Sequence, residues 1–172
     1  MDDSRIRQPN SRNCFVCGVE NPAGLHLHFY DNGVDEVTCD FTVSPKHQSY
    51  PGIVHGGVIA SILYEAGGRT AAIDDHNRFF VTASLQIRYR KPVPLATPLR
   101  AVGKLVKRHG RKVVAHAEIR SPAGEVLAEA ELLLIDAPPA AFNPSEADQL
   151  GWRVYDDPRQ EAGDKIELSP LS

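Results

Sequence analysis

The chain has 172 residues, 42% of them hydrophobic, and a formal net charge of −3. That length suits one domain with a real core, and the weakly acidic balance gives no reason to expect a nucleic-acid partner. No apolar run approaches the ~18 residues of a membrane span and Met1-Asp2-Asp3-Ser4-Arg5 lacks the apolar core of a signal peptide, so the expected setting is cytoplasmic, with no membrane partner.

Residues 1–13 are polar without an apolar period, which predicts a flexible or draped N-terminal tail. Cys14 and Cys17 follow; with Cys39 they make an odd count, a poor disulfide framework that agrees with a reducing compartment. Cys14-x-x-Cys17 raises a zinc reading, with His26, His28 or Cys39 completing four ligands. The second close ligand pair is missing, however, and His26 and His28 alternate with Leu25, Leu27 and Phe29 in strand fashion. No metal and no cofactor are therefore expected.

Two-residue alternation marks strands that bury one face. It runs through Leu25–Phe29, Val37–Val43, Leu85–Tyr89, Leu99–Leu105, Val113–Ile119 and Val126–Leu134. Asp31-Asn32-Gly33, His109-Gly110 and Ser121-Pro122-Ala123-Gly124 supply turns between them, and the whole reads as an antiparallel meander. One segment, from Gly57 to about Ile73, has helical spacing, with Ile59, Ile62, Leu63 and Ala66 on one stripe. A lone helix beside five or six strands predicts an α+β domain whose sheet wraps a central helix. Gly67-Gly68 inside that helix costs roughly 1 kcal/mol per glycine against alanine, which points to close packing on the sheet, a kink, or an early helix end. Beyond Asp136 comes a Pro-containing polar stretch with Trp152 and Tyr155 as isolated anchors, so residues 137–172 read as a C-terminal extension or strap.

The run Val54-His55-Gly56-Gly57 puts two glycines at the helix start. Backbone N–H groups there lack intrahelical partners, sit at the positive end of the helix dipole and can hold a developing oxyanion. Glu65 lies two turns further on, roughly 12 Å along the axis from Gly57 at 1.5 Å per residue. One small substrate atom cannot touch both ends. Either a second copy of the chain supplies one end, or the acid belongs to something else.

Cys14-Phe15-Val16-Cys17-Gly18, Asn21-Pro22-Ala23-Gly24-Leu25 and His47-Gln48 followed by Tyr50 to Gly57 together resemble the hotdog-fold acyl-CoA thioesterases of the phenylacetate-degradation type. Thr82, Tyr89-Arg90-Lys91-Pro92-Val93 and Gly110-Arg111 extend the resemblance, which covers roughly residues 14–136. It implies a hotdog fold, one long helix wrapped by an antiparallel sheet. It also implies a homodimer joined sheet edge to sheet edge, or a dimer of dimers, that hydrolyses an acyl-CoA at the subunit interface. The carboxylate would come from the subunit opposite the oxyanion donor. By residue matching Gly56, with Gly57 beside it, offers the backbone N–H, and His55 orders the loop. The acid of the family falls nine positions after the histidine, at Tyr64 here, with Glu65 one later. Its amide side chain, six positions before the histidine, falls at Ser49, with Gln48 adjacent.

Two chemical readings follow. Glu65 acts as general base or nucleophile, or Tyr64 takes the acid's place and donates a hydrogen bond to bound ligand or water. The second describes an acyl-CoA or small aromatic ligand binder without useful catalysis. Glu65 also has a bland reading, an ion pair with Arg69 at the four-residue spacing. Thr82 would hold the attacking water, or is there for β-propensity alone. Arg88, Arg90 and Arg111 belong to the only concentrated positive charge and are candidates for the coenzyme A phosphates, or are simply solvated.

Overall fold

The structure, a computed structural model, describes residues 5–137 and 149–158. The elements are β1 (Ile6–Arg7), β2 (Tyr30–Asp31), β3 (Glu36–Phe41), α1 (Gly56–Arg69), β4 (Phe80–Tyr89), β5 (Leu99–His109), β6 (Lys112–Arg120) and β7 (Val126–Asp136), with 3-10 turns at Pro45–His47 and Thr70–Ala72. All seven strands join one antiparallel sheet in the order β1-β2-β3-β5-β6-β7-β4. The count exceeds five or six because the two-residue strands β1 and β2 extend one edge.

β1-β2-β3 and β5-β6-β7 each follow chain order as antiparallel neighbours, and only β4 departs from the sequential arrangement. After α1 the chain crosses to the far edge and lays β4 beside β7, correcting the fully sequential order. Alternation tells which residues share a face, not which strand lies alongside. Leu25–Phe29 joins no ladder either. The N–H groups of Leu25 and Leu27 bind the carbonyls of Phe15 and Val16 instead, and His28 is buried along with Leu27 and Phe29.

α1 packs against one face of the sheet, chiefly on β5, β6 and β7. Val58, Ile59, Ile62, Leu63 and Ala66 are buried on it, in one core with Ala101, Val113, Ala115, Ala117, Ala130 and Leu132 of the strands. Small residues set the separation: a Cβ at Gly103 would lie 2.1 Å from the Ala66 carbonyl oxygen, and one at Gly67 2.4 Å from Leu132 Cδ1. Gly67 thus answers to close packing. Its neighbour Gly68 faces open space, and the helix runs through both to Arg69.

The described part of the N-terminal tail is draped, not free. Gln8, Asn10 and Ser11 are buried, and Asn10 Nδ2 donates to the carbonyls of Cys17 at 2.8 Å and Leu27 at 3.0 Å. Over it lies the C-terminal segment 149–158, where Arg153 pairs with Asn10, Trp152 Nε1 donates to the His76 carbonyl at 2.8 Å and Tyr30 Oη donates to Asp157 at 2.9 Å. The rest of the expected extension, 138–148 and 159–172, lies outside the described residues. Among those described, no helix is long and apolar enough to cross a membrane.

Candidate active site

His55 caps α1 with extended backbone, φ −60° and ψ 133°, and its Nδ1 accepts the Gly57 N–H at 3.0 Å. Its carbonyl accepts the next two N–H groups, from Val58 and Ile59. That leaves the Gly56 N–H without a hydrogen-bond partner among the described residues. The two glycines are therefore not equivalent: the donor of Gly57 is engaged by the cap, and Gly56 holds the available one at the positive helix end. Tyr89, at the end of β4, donates its hydroxyl to the Gly56 carbonyl at 2.9 Å. Gln48 and Ser49 are exposed in the loop before the helix, Gln48 bridged to Val54 and the Ser49 N–H bound to the Ile53 carbonyl at 2.8 Å.

Two turns along α1 opens a cleft of about 350 Å³ whose lining includes Cys14, Phe15, Ala60, Tyr64, Glu65 and Leu85. Tyr64 and Glu65 border the same space, although one residue turns a helix by about 100°. Glu65 Oε1 accepts from Arg69 Nε at 2.9 Å, the four-residue ion pair of the bland reading. Its Oε2 accepts no hydrogen bond among the described residues. Arg69 is buried, with Nη1 on the Pro9 carbonyl at 2.9 Å and its guanidinium over the Phe29 ring at 4.6 Å and the Trp152 ring at 5.4 Å. Burial, the largest single influence, would lower the Arg69 pKa, but the charges and hydrogen bonds of Glu65 and Cys17 together more than offset it and the pKa stands above the ordinary arginine value.

Beside Glu65 sit the two cysteines of the arm. Cys14 is pushed down to about 6, first by a hydrogen bond from the Cys17 thiol; Val16 and Cys17 also direct their N–H groups at its Sγ, at 3.3 and 3.5 Å. The same thiol contact, followed by burial, pushes Cys17 up. Sequence reasoning missed this neighbourhood, because it pairs residues far apart in the chain. The zinc reading that the sequence raised and set aside looked to His26, His28 or Cys39 for further ligands, whereas the side chain that joins the cysteines in the cluster is Glu65.

Thr82 is half-buried on β4, and a bulge between Thr82 and Ser84 decides where it points. Thr82, Leu85, Ile87 and Tyr89 stand opposite Leu134, Leu132, Ala130 and Ala128, all buried, so the bulge puts Thr82 on the helix side with Leu85. Arg88 and Arg90 gather at Glu129, and Arg111 stands apart from them. Arg88 stands opposite Glu129, Arg90 binds Glu129 at 2.5 Å, and Arg111 donates to the Asp136 carbonyl at 2.7 Å. Glu129 and Asp136 are separated by about 24 Å along β7, at roughly 3.4 Å per residue.

Comparison with known proteins identifies the family. The family model described as Thioesterase superfamily matches residues 51–128. Acyl-coenzyme A thioesterase THEM4 of Mus musculus is 34% identical over 127 residues, 73% of this chain and 54% of the relative. The chain spans about half the length of the curated relatives it matches. Among solved structures, protein RHA08564, a thioesterase superfamily protein, superposes with a TM-score of 0.66 at 34% identity, over 73% of this chain and 61% of that one. A thioesterase superfamily protein from Shewanella loihica PV-4 gives 0.50 at 31% identity, over 60% of this chain and 84% of that one. The seven-stranded sheet around α1 is the hotdog fold, and the chain belongs to the thioesterase superfamily.

Proposed function

We propose that the chain is an acyl-CoA thioesterase that works as a homodimer. The observation that carries this reading is the pairing of an available backbone donor, the Gly56 N–H, with a carboxylate on a cleft wall two turns along the same helix. Within one chain these stand too far apart to meet on a single carbonyl. The outer edge of β4 pairs with no strand among the described residues and carries exposed Val81 and Tyr89. Two such edges joined would bring Gly56 of one protomer toward Glu65 of its partner.

In that site Glu65 Oε2 takes a proton from water, and the water oxygen attacks the thioester carbonyl carbon. Charge builds on the carbonyl oxygen, where the Gly56 N–H is worth about 3–4 kcal/mol of barrier. Collapse breaks the carbon–sulfur bond and releases the thiolate, leaving the free acid. His55 keeps the loop and the helix start in place. Thr82, on the inner face with Leu85, orients the water. Gln48 and Ser49 line the approach before the helix. Arg88, which has no hydrogen-bonded partner among the described residues, is the strongest of the three arginines for a coenzyme A phosphate.

The second reading is a ligand binder. The Glu65–Arg69 ion pair and the 43% exposed Tyr64 on the cleft support it. Thiol release across a panel of acyl-CoA chain lengths, run beside a thermal-shift titration with the same compounds, separates the two. Stabilisation without thiol release supports the binder.

A further inference from the structure

The Cys14-x-x-Cys17 motif has no part in the reaction above, and its geometry is that of a ligand holder. Cys14 Sγ accepts the N–H groups of Val16 at 3.3 Å and Cys17 at 3.5 Å, so a tight turn aims both sulfurs the same way. Gly18 closes the turn where no side chain fits: a Cβ there would lie 2.3 Å from the Cys14 carbonyl oxygen. Facing the turn, α1 presents Glu65. The two sulfurs and a carboxylate oxygen all lie within 4.8 Å of one another. Ligands about 2.3 Å from a tetrahedral zinc stand about 3.8 Å apart, so closure by about 1 Å completes the set.

We infer that Cys14, Cys17 and Glu65 form a three-ligand site for a thiophilic divalent cation, Zn²⁺ by its chemistry, with the fourth position open to the cleft. Two thiolates select a soft cation over Mg²⁺ or Ca²⁺. The charges balance: three anionic ligands carry −3, the metal +2 and the buried Arg69 beside them +1. A neutral sum matters in a partly buried place, where an uncompensated charge is costly. Outer contacts are also built: two backbone N–H groups hold Cys14, and Arg69 Nε fixes Glu65 by Oε1, turning the carboxylate so that Oε2 remains for the metal.

This goes beyond the proposed hydrolysis and has a consequence for it. The oxygen that would ligate the metal is the one assigned to water activation, so metal-bound and hydrolysing states are alternatives for a single carboxylate.

The test uses the full chain, reduced and stripped with a chelator, titrated with Co²⁺ alone. Expected is one equivalent bound, with thiolate-to-cobalt charge transfer in the near ultraviolet, the visible bands of tetrahedral cobalt, and displacement by one equivalent of Zn²⁺. Cys14→Ser, at the half-exposed position, should abolish the charge-transfer signal of the pair while circular dichroism stays that of the parent; Glu65→Gln should keep sulfur charge transfer but bind about tenfold or more weakly. A folded, fully reduced wild-type chain that shows no charge transfer at stoichiometric Co²⁺, or a signal unchanged in Cys14→Ser, overturns the site. The optical readout needs no substrate, so a chain that binds cobalt but, stripped of metal, hydrolyses nothing defeats the thioesterase reading alone.

Discussion

Arg69 reaches one turn back along α1 to Glu65, Nε to Oε1 at 2.9 Å, with only 6% and 15% of the two side chains exposed. Breaking a buried pair of this kind costs about 3–5 kcal/mol, because the remaining charge stays in place without compensation. Arg69→Met should therefore lower stability on that scale in urea unfolding, and Arg69→Lys should recover little, since an ammonium lacks the planar fork that also serves Pro9 and Gln8. A midpoint unchanged in Arg69→Met would show that the pair contributes nothing to the fold.

Gly56 is the first helical residue after an extended cap, the one position of a helix where proline is at home. Gly56→Pro removes the available N–H and leaves the helix intact. The expected outcome is a fall in kcat of about 10²–10³-fold with little change in Tm. Gly56→Ala is the control: it keeps the donor, and its Cβ would meet the Tyr89 ring at 3.6 Å, an ordinary contact, so activity should persist. Equal activity in both variants would remove this amide from the mechanism.

Two adjacent glycines should respond with opposite sign. A Cβ at Gly67 meets buried Leu132 at 2.4 Å, so Gly67→Ala should destabilise by about 1–3 kcal/mol. Gly68 has open space around it, and Gly68→Ala should stabilise by about 0.5–1 kcal/mol through helix propensity. Chemical unfolding of the two variants side by side is the check.

Tyr30 is held up to about 12 from its ordinary value of 10, by burial first and then by its hydrogen bond to Asp157. A raised folded pKa gives stability that is complete below pH 10 and lost as pH climbs through about 12. Tyr30→Phe should therefore be less stable than the parent at neutral pH by about 1–3 kcal/mol, with one donor to buried Asp157 gone. Its stability should fall less steeply than the parent's across that alkaline window. Parallel slopes would contradict the assignment and weaken the case that residues 149–158 anchor on β2.

Much of this molecule was legible in its sequence, and the limits have physical causes. Helix α1 and the strands β3 to β7 could be read because one face of each turns toward the core, half-buried in β4, and the alternation or 3.6-residue period records it. The strand order could not be read, since pairing is a property of distant segments; β4 crossed to the far edge unannounced. Leu25–Phe29 has the apolar pattern of a strand but spends its backbone donors on the arm at Phe15 and Val16. At the candidate site, Gly56 and Glu65 were visible as a helix start and a carboxylate. Gly56 was named as the donor by residue matching alone; the physical reason that Gly57 is not its equivalent depends on which way the His55 ring turns. The approach of Cys14 and Cys17 to Glu65 left no local trace at all, and Arg111, which looks like part of one cluster with Arg88 and Arg90 in the sequence, lies toward the other end of β7 once the register is known.

The most direct test of the thioesterase account is the steady-state rate of thiol release from a panel of acyl-CoA substrates by the wild-type chain and by Glu65→Gln, with folding checked by circular dichroism. The expected result is turnover of at least one acyl-CoA by wild type and a loss of about 10²–10⁴-fold in kcat for the variant, the usual worth of a general base. Wild-type turnover that survives Glu65→Gln unchanged, or a wild-type chain that binds these thioesters and releases no thiol, would contradict it.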